Sequence, residues 1–132
     1  MSQENLDVVR ATYDEYAKGN LRAGLDLYDP FTVFIPIPQF PTSGPYLGPE
    51  GIGAFMRAYL EGWANLTMTA EDLIEAESSV LVTVRQRAAG KESGASTTIR
   101  YFEVWTFRGR GVVRIEQFRD RATALEAVGL PE

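Results

Sequence analysis

The chain contains no cysteine and no histidine in 132 residues. Without cysteine there is no disulfide, no thiolate metal site and no cysteine nucleophile. Without histidine there is no Ser-His triad, no ordinary general base for neutral pH and none of the commonest zinc ligand. Long apolar runs are also missing. The longest apolar-rich stretch, Thr32 to Pro38, carries two prolines and falls far short of the roughly 20 residues a spanning helix needs. Positive charge is in deficit, with 13 Lys plus Arg against 18 Asp plus Glu and a net charge of −5. Such a surface repels phosphate, so neither nucleic acid nor an anionic membrane is an expected partner. The start, Met-Ser-Gln-Glu-Asn, lacks a basic segment followed by an apolar one, and the expected location is the cytoplasm.

What is present is enough for a core. The composition is 45% hydrophobic and 11% aromatic, outside the range of disordered chains, and the length suits a single domain over 1–132. Leu6, Val9, Tyr13, Tyr16 and Ala17 recur at helical spacing, with Gly19-Asn20 as a stop. A second, short helix is expected over Arg22 to Tyr28, ended by Asp29-Pro30. Phe31 to Ile37 reads as a strand. Five prolines between Pro36 and Pro49 make that stretch a sheet edge or a stiff loop, and Phe34, Phe40 and Tyr46 flank it as a rim. A third helix opens at Pro49 or Glu50 and runs to about Trp63, with Ile52, Phe55, Met56, Tyr59, Leu60 and Trp63 on its apolar face.

From residue 66 the period changes to two. Strands are expected over 66–76, around Val80 to Val84, over 95–108 and over Val112 to Phe118, then a short helix from Asp120 to Val128. Helices followed by a run of antiparallel strands give an α+β fold, in which a curved sheet wraps the helices around one cavity. Val80, Val82 and Val84 mark the core face, so Gln86 points inward while Arg85 and Arg87 point outward.

Gly109-Arg110 reads as the centre of a tight hairpin. With Arg108 paired to Gly111, Phe107 faces Val112, Trp105 faces Arg114, Glu103 faces Glu116 and Tyr101 faces Phe118. Two carboxylates would then meet on an aromatic face, where burial and like charge favour an acid beside a base. The alternatives are that Arg114 neutralises Glu116, or that a one-residue slip separates the two glutamates. Phe102, Val104, Thr106 and Ile115 fall on the outer face, an apolar surface suited to a symmetric homodimer.

The ordered pieces Tyr13-x-x-Tyr16, Leu27-Tyr28-Asp29-Pro30, Tyr46-x-Gly48-x-x-Gly51-Ile52, Val104-Trp105-Thr106-Phe107-Arg108-Gly109 and Asp120-Arg121-x-x-Ala124-Leu125-Glu126 resemble the SnoaL-like branch of the NTF2-like superfamily. The resemblance covers nearly the whole chain. It implies a conical α+β barrel with three N-terminal helices on a curved antiparallel sheet, frequent homodimers and an apolar pocket. Among enzymes of that superfamily, the ketosteroid isomerase base is an Asp before a Pro on the first strand. Ile35 stands there in this chain. The isomerase's oxyanion-hole Tyr falls near Thr12, with Tyr13 one residue away, and its oxyanion-hole acid aligns with Glu103. The Arg-x-Asp pair of limonene-epoxide hydrolase is replaced by Val82-Thr83-Val84, and that enzyme's remaining Asp aligns with Glu116. The histidines of scytalone dehydratase have no counterpart. The polyketide cyclases of the branch use an acidic base, a role open to Glu103 or Glu116.

Together these features lead to a small-molecule enzyme doing acid–base chemistry, without cofactor or metal, on an apolar carbonyl compound. Glu103 and Glu116 are its candidate catalytic pair. Tyr16, Phe34, Tyr59, Trp63, Gln86, Tyr101, Trp105 and Phe118 are candidate ligand-binding residues. A non-catalytic pocket that binds an apolar ligand, or a dimerisation module, is the alternative.

Overall fold

Apolar residues at helical spacing need a surface to lie on, and here that surface is one sheet. The computed structural model describes residues 2–37 and 45–131; Phe40 of the expected rim lies outside them. Helix α1 (Ser2–Ala17) buries Val9, Tyr13 and Tyr16 against the sheet and ends at Gly19, whose φ of 92° only glycine adopts freely. The second helix expected over 22–28 is a single 3₁₀ turn, Leu25–Leu27. Gly24 enters it in the left-handed region and Tyr28 leaves it extended, which leaves too few residues to nucleate an α-helix.

Strand β1 (Tyr28–Ile35) and the short edge strand β2 (Tyr46–Leu47) come next, then helix α2 (Gly48–Leu60) with Pro49 in its first turn. The helix stops before Trp63, because Glu61-Gly62 breaks it and Trp63 already pairs with Gly90. Strands β3 (Trp63–Ala76), β4 (Ser79–Gly90), β5 (Ser96–Arg108) and β6 (Gly111–Phe118) form the meander, and α3 (Arg121–Ala127) closes the chain. The sheet order is β2-β1-β6-β5-β4-β3. Every neighbour pair is antiparallel except β1 with β6, where the chain returns beside its first strand in parallel.

The turn at Gly109-Arg110 forms as expected, with Arg108 opposite Gly111 and Phe107 opposite Val112. Then the register shifts. Thr106 faces Arg114, so Val113 is an extra residue in β6, a β-bulge. Beyond it every expected pair moves by one: Trp105 faces Ile115, Val104 faces Glu116, Glu103 faces Gln117 and Phe102 faces Phe118.

Because side chains alternate with period two, that one residue swaps the faces of β6. Ile115 turns into the main core, joining Val80, Val82, Val84, Tyr101, Trp105 and Val112. Phe118 turns outward, packing with Leu81, Phe102, Val104, Ala124 and Leu125. Helix α3 thus covers the apolar part of the outer face from within the same chain. Asp120 caps it, accepting from the Thr123 N–H at 2.8 Å. Phe102 and Val104, expected to be an open surface for a second copy, are buried. What the outer face presents instead is polar: Glu71, bulged out of β3, bridges Arg85 at 3.4 Å and Arg100 at 2.6 Å.

Candidate functional site

Between the inner face of the sheet, α1 and α2 lies a cavity of about 40 Å³. One water needs roughly 10–15 Å³ on this kind of measure, so the cavity admits a compact ligand. A polycyclic one requires the surrounding side chains to move. Its wall is mostly apolar, with Tyr16, Tyr28, Tyr59, Gln86, Tyr101, Glu103 and Gln117 as the polar members.

Among the described residues of that wall Glu103 is the single acidic or basic side chain, and it is 6% exposed. It lies on the inward face of β5 with Tyr101 and Trp105, one pleat away on either side. Three donors hold it. The Tyr13 hydroxyl of α1 makes a short hydrogen bond to Oε1, and the Trp105 indole N–H donates to the same oxygen at 2.9 Å. The Gln117 amide donates to Oε2 at 2.8 Å. The orientation of that amide is determined, because its oxygen accepts the Ile37 backbone N–H at 3.2 Å. The indole and the oriented amide group can only donate, which suits a carboxylate as their partner. A carboxylate has about four acceptor positions. Among the described residues donors fill three of them, and Oε2 keeps one.

A second polar chain crosses the cavity wall. Tyr101 donates to Gln86 Oε1 at 3.1 Å and its hydroxyl lies 3.2 Å from the Met68 sulfur, while Gln86 Nε2 donates to the Tyr59 oxygen at 2.8 Å. Tyr16 and Tyr28 are coupled through their hydroxyls. The phenols of Tyr13, Tyr16, Tyr28 and Tyr101 are all pushed well above the usual tyrosine range. Burial is the largest cause in each. The Glu103 charge adds to all four, and for Tyr16 the Tyr28 hydroxyl contributes more than Glu103 does. All four therefore remain neutral hydrogen-bond donors at physiological pH.

Of the residues expected from sequence, Glu103, Tyr16, Phe34, Tyr59, Gln86, Tyr101 and Trp105 line this one cavity. Three are elsewhere. Glu116 is not opposite Glu103; the bulge at Val113 turns it to the outer face, where Arg114 pairs with it at 2.8 Å. The same bulge sends Phe118 to the α3 side. Trp63, past the end of α2, lies in a neighbouring groove with Lys18, Leu60 and Leu66. Tyr28 and Gln117 belong to the site and are not among the sequence candidates, and Tyr13, which the sequence sets beside the isomerase's oxyanion-hole position without making it a candidate, belongs to it as well. Tyr13 carries a signal, three residues before Tyr16 on the same helical face. Gln117 carries none, since strict alternation from the turn places it outward, and Tyr28 reads as the end of a helix. Arg85 points outward, as alternation predicts. Among the described residues no group of three His, Cys, Asp or Glu side chains is placed to hold a metal ion.

The model of the SnoaL-like domain family matches residues 9–115. No curated protein matches the chain in sequence. Solved structures do match in fold. An NTF2-like protein of unknown function from Burkholderia pseudomallei is 22% identical with a TM-score of 0.76, covering 96% of this chain and 98% of that one. TerC, co-crystallised with polyporic acid, is 19% identical with a TM-score of 0.75 over 95% and 97% of the two chains. A hypothetical protein from Catenulispora acidiphila with a ketosteroid isomerase-like fold, in complex with trimethylamine, is 15% identical with a TM-score of 0.73 over 95% and 94%.

Proposed function

This chain belongs to the SnoaL-like domain family, and from that premise we propose that its cavity carries out acid–base chemistry on a compact, largely apolar carbonyl compound. The observation behind the proposal is Glu103, a carboxylate set in an apolar wall with one acceptor position left on Oε2. That oxygen is the base, and it takes a proton from the carbon beside the carbonyl. The electrons move onto the carbonyl oxygen, where the Tyr28 hydroxyl, backed by Tyr16, donates a hydrogen bond to the developing charge. In a β,γ-unsaturated carbonyl compound the anion is a dienolate, and return of the proton from Glu103 to the γ-carbon moves the double bond into conjugation; in a saturated one, return to the same carbon exchanges the proton. Tyr13, Trp105 and Gln117 orient the carboxylate. The aromatic wall excludes water and holds the hydrocarbon part. The Catenulispora relative's ligand, trimethylamine, is of the compact size that this cavity admits.

A binding module is the second reading. It is favoured by the outward position of Glu116, which leaves a single carboxylate in the site. The two readings separate on α-proton exchange of cyclopentanone in D2O, followed by NMR. The enzyme accelerates exchange over buffer, and Glu103→Gln and Tyr28→Phe each reduce the acceleration, the former by roughly 10²-fold or more. If cyclopentanone binds and its exchange stays at the buffer rate, the pocket is a binding module.

A further inference from the structure

Among the described residues the cavity wall holds one carboxyl group, that of Glu103, and no basic group: no Lys or Arg lines it, and the chain has no His. Glu103 takes all three of its hydrogen bonds from neutral donors. Among the described residues the ion pairs involve Glu71, Glu116, Asp7 and Glu15, and none reaches Glu103. The segment 38–44, Pro-Gln-Phe-Pro-Thr-Ser-Gly, holds no basic residue either. A buried carboxylate usually has a cationic partner, because its desolvation is costly and neutral hydrogen bonds offset only part of the cost. In a low-dielectric pocket an opposite charge at contact distance interacts far more strongly than in water.

Two further features say what kind of cation fits. The open position on Glu103 Oε2 accepts a hydrogen, so a donor on the ligand completes the set of four. The same wall carries the rings of Tyr16, Tyr28, Tyr101, Trp105, Phe34 and Phe55, and aromatic faces attract cations. A hydrated metal ion has no use for such a wall, and a carboxylate or phosphate ligand would meet like charge. The volume limits the ligand to a compact one.

We propose that this cavity is a site for a compact organic ammonium ion, with its N–H on Glu103 Oε2 and its alkyl part among the aromatic rings. The inference rests on reading the cavity as a small-molecule site, and turnover there is not required for it.

The test is a charge series of one shape: cyclopentylamine, cyclopentanol and cyclopentanecarboxylate at neutral pH. Binding is followed by the NMR shift of the Trp105 indole N–H, with the Trp63 indole as a reference outside the cavity. The amine is expected to bind at least about tenfold tighter than the alcohol, in line with a charge-assisted hydrogen bond, and the carboxylate not to shift Trp105. In Glu103→Gln the preference for the amine disappears. The wild-type series stands alone if that variant does not fold. An amine that binds no tighter than the alcohol, or keeps its advantage in Glu103→Gln, overturns the proposal. Amine binding together with buffer-rate cyclopentanone exchange leaves this inference standing and removes the enzyme reading. Cyclopentanone exchange without amine preference does the reverse.

Discussion

Glu103 is held by donors from α1, β5 and β6, so its position reports on how those three elements meet. Gln117 is the most informative of its partners, because it grips Ile37 with its oxygen and Glu103 with its nitrogen. Gln117→Glu keeps the shape and the acceptor for Ile37 but replaces the donor with a second acid. Two carboxylates in that place cannot both ionise easily, so the pair's apparent pKa rises on folding. A carboxyl whose pKa is raised on folding binds its proton more tightly in the native state. The variant should therefore be closest to wild type in acid and lose ground as pH climbs past about 4. At pH 7 the deficit should be roughly 1–3 kcal/mol. Urea unfolding of both proteins from pH 4 to 8 measures it. A deficit independent of pH would mean that Gln117 acts only as packing.

At the scale of elements the bulge at Val113 decides most. It lets the tight turn at Gly109-Arg110 and the inward positions of Ile115 and Gln117 coexist on one strand. Deleting Val113 joins Val112 directly to Arg114 and leaves an unbroken ladder in which Ile115 still faces Trp105 and Gln117 still faces Glu103. The faces of β6 are then kept, so the variant should hold its core and lose only about 1 kcal/mol. Thermal melting followed by near-UV circular dichroism measures it, and loss of the cooperative transition would show that the bulge does more than set the register. Helix α3 benefits from the same swap, since Phe118 turns toward the cluster that α3 shares with Phe102 and Val104.

For the molecule as a whole, the buried tyrosines set its response to alkali. Tyr13, Tyr16, Tyr28 and Tyr101 hold their protons far more tightly folded than unfolded, because burial disfavours the phenolate and Glu103 repels it. A pKa raised on folding contributes stability that is complete below the unfolded value, near 10 for tyrosine, and is lost as pH rises above it. With four such groups the loss should be steep. The protein should keep its stability to about pH 10 and then unfold cooperatively. Tyrosinate absorbance at about 295 nm should rise in step with loss of near-UV signal. Stepwise ionisation of these tyrosines in a folded chain would contradict the picture of a closed cavity.

Much of this protein is written locally. The helical period of α1 and α2, the two-residue alternation of β4 and β5, and the glycine at Gly109 each depend on neighbours within a few residues. They identified the elements, the hairpin turn, and Gln86, Tyr101, Glu103 and Trp105 as one inward set. The errors lie where the answer depends on another part of the chain. Alternation along β6 reads the same with or without one extra residue, so only the hydrogen bonds to β5 and the burial of Ile115 could place the bulge and separate Glu116 from Glu103. Tyr28 is extended because Val112 pairs with it across the sheet, and Gln117 is part of the site because Ile37 and Glu103 stand on either side of it. A side chain's face within its own element is determined by local geometry. Which carboxylate stays buried, and what it meets there, is decided by register between elements, and register is a property of the assembled sheet.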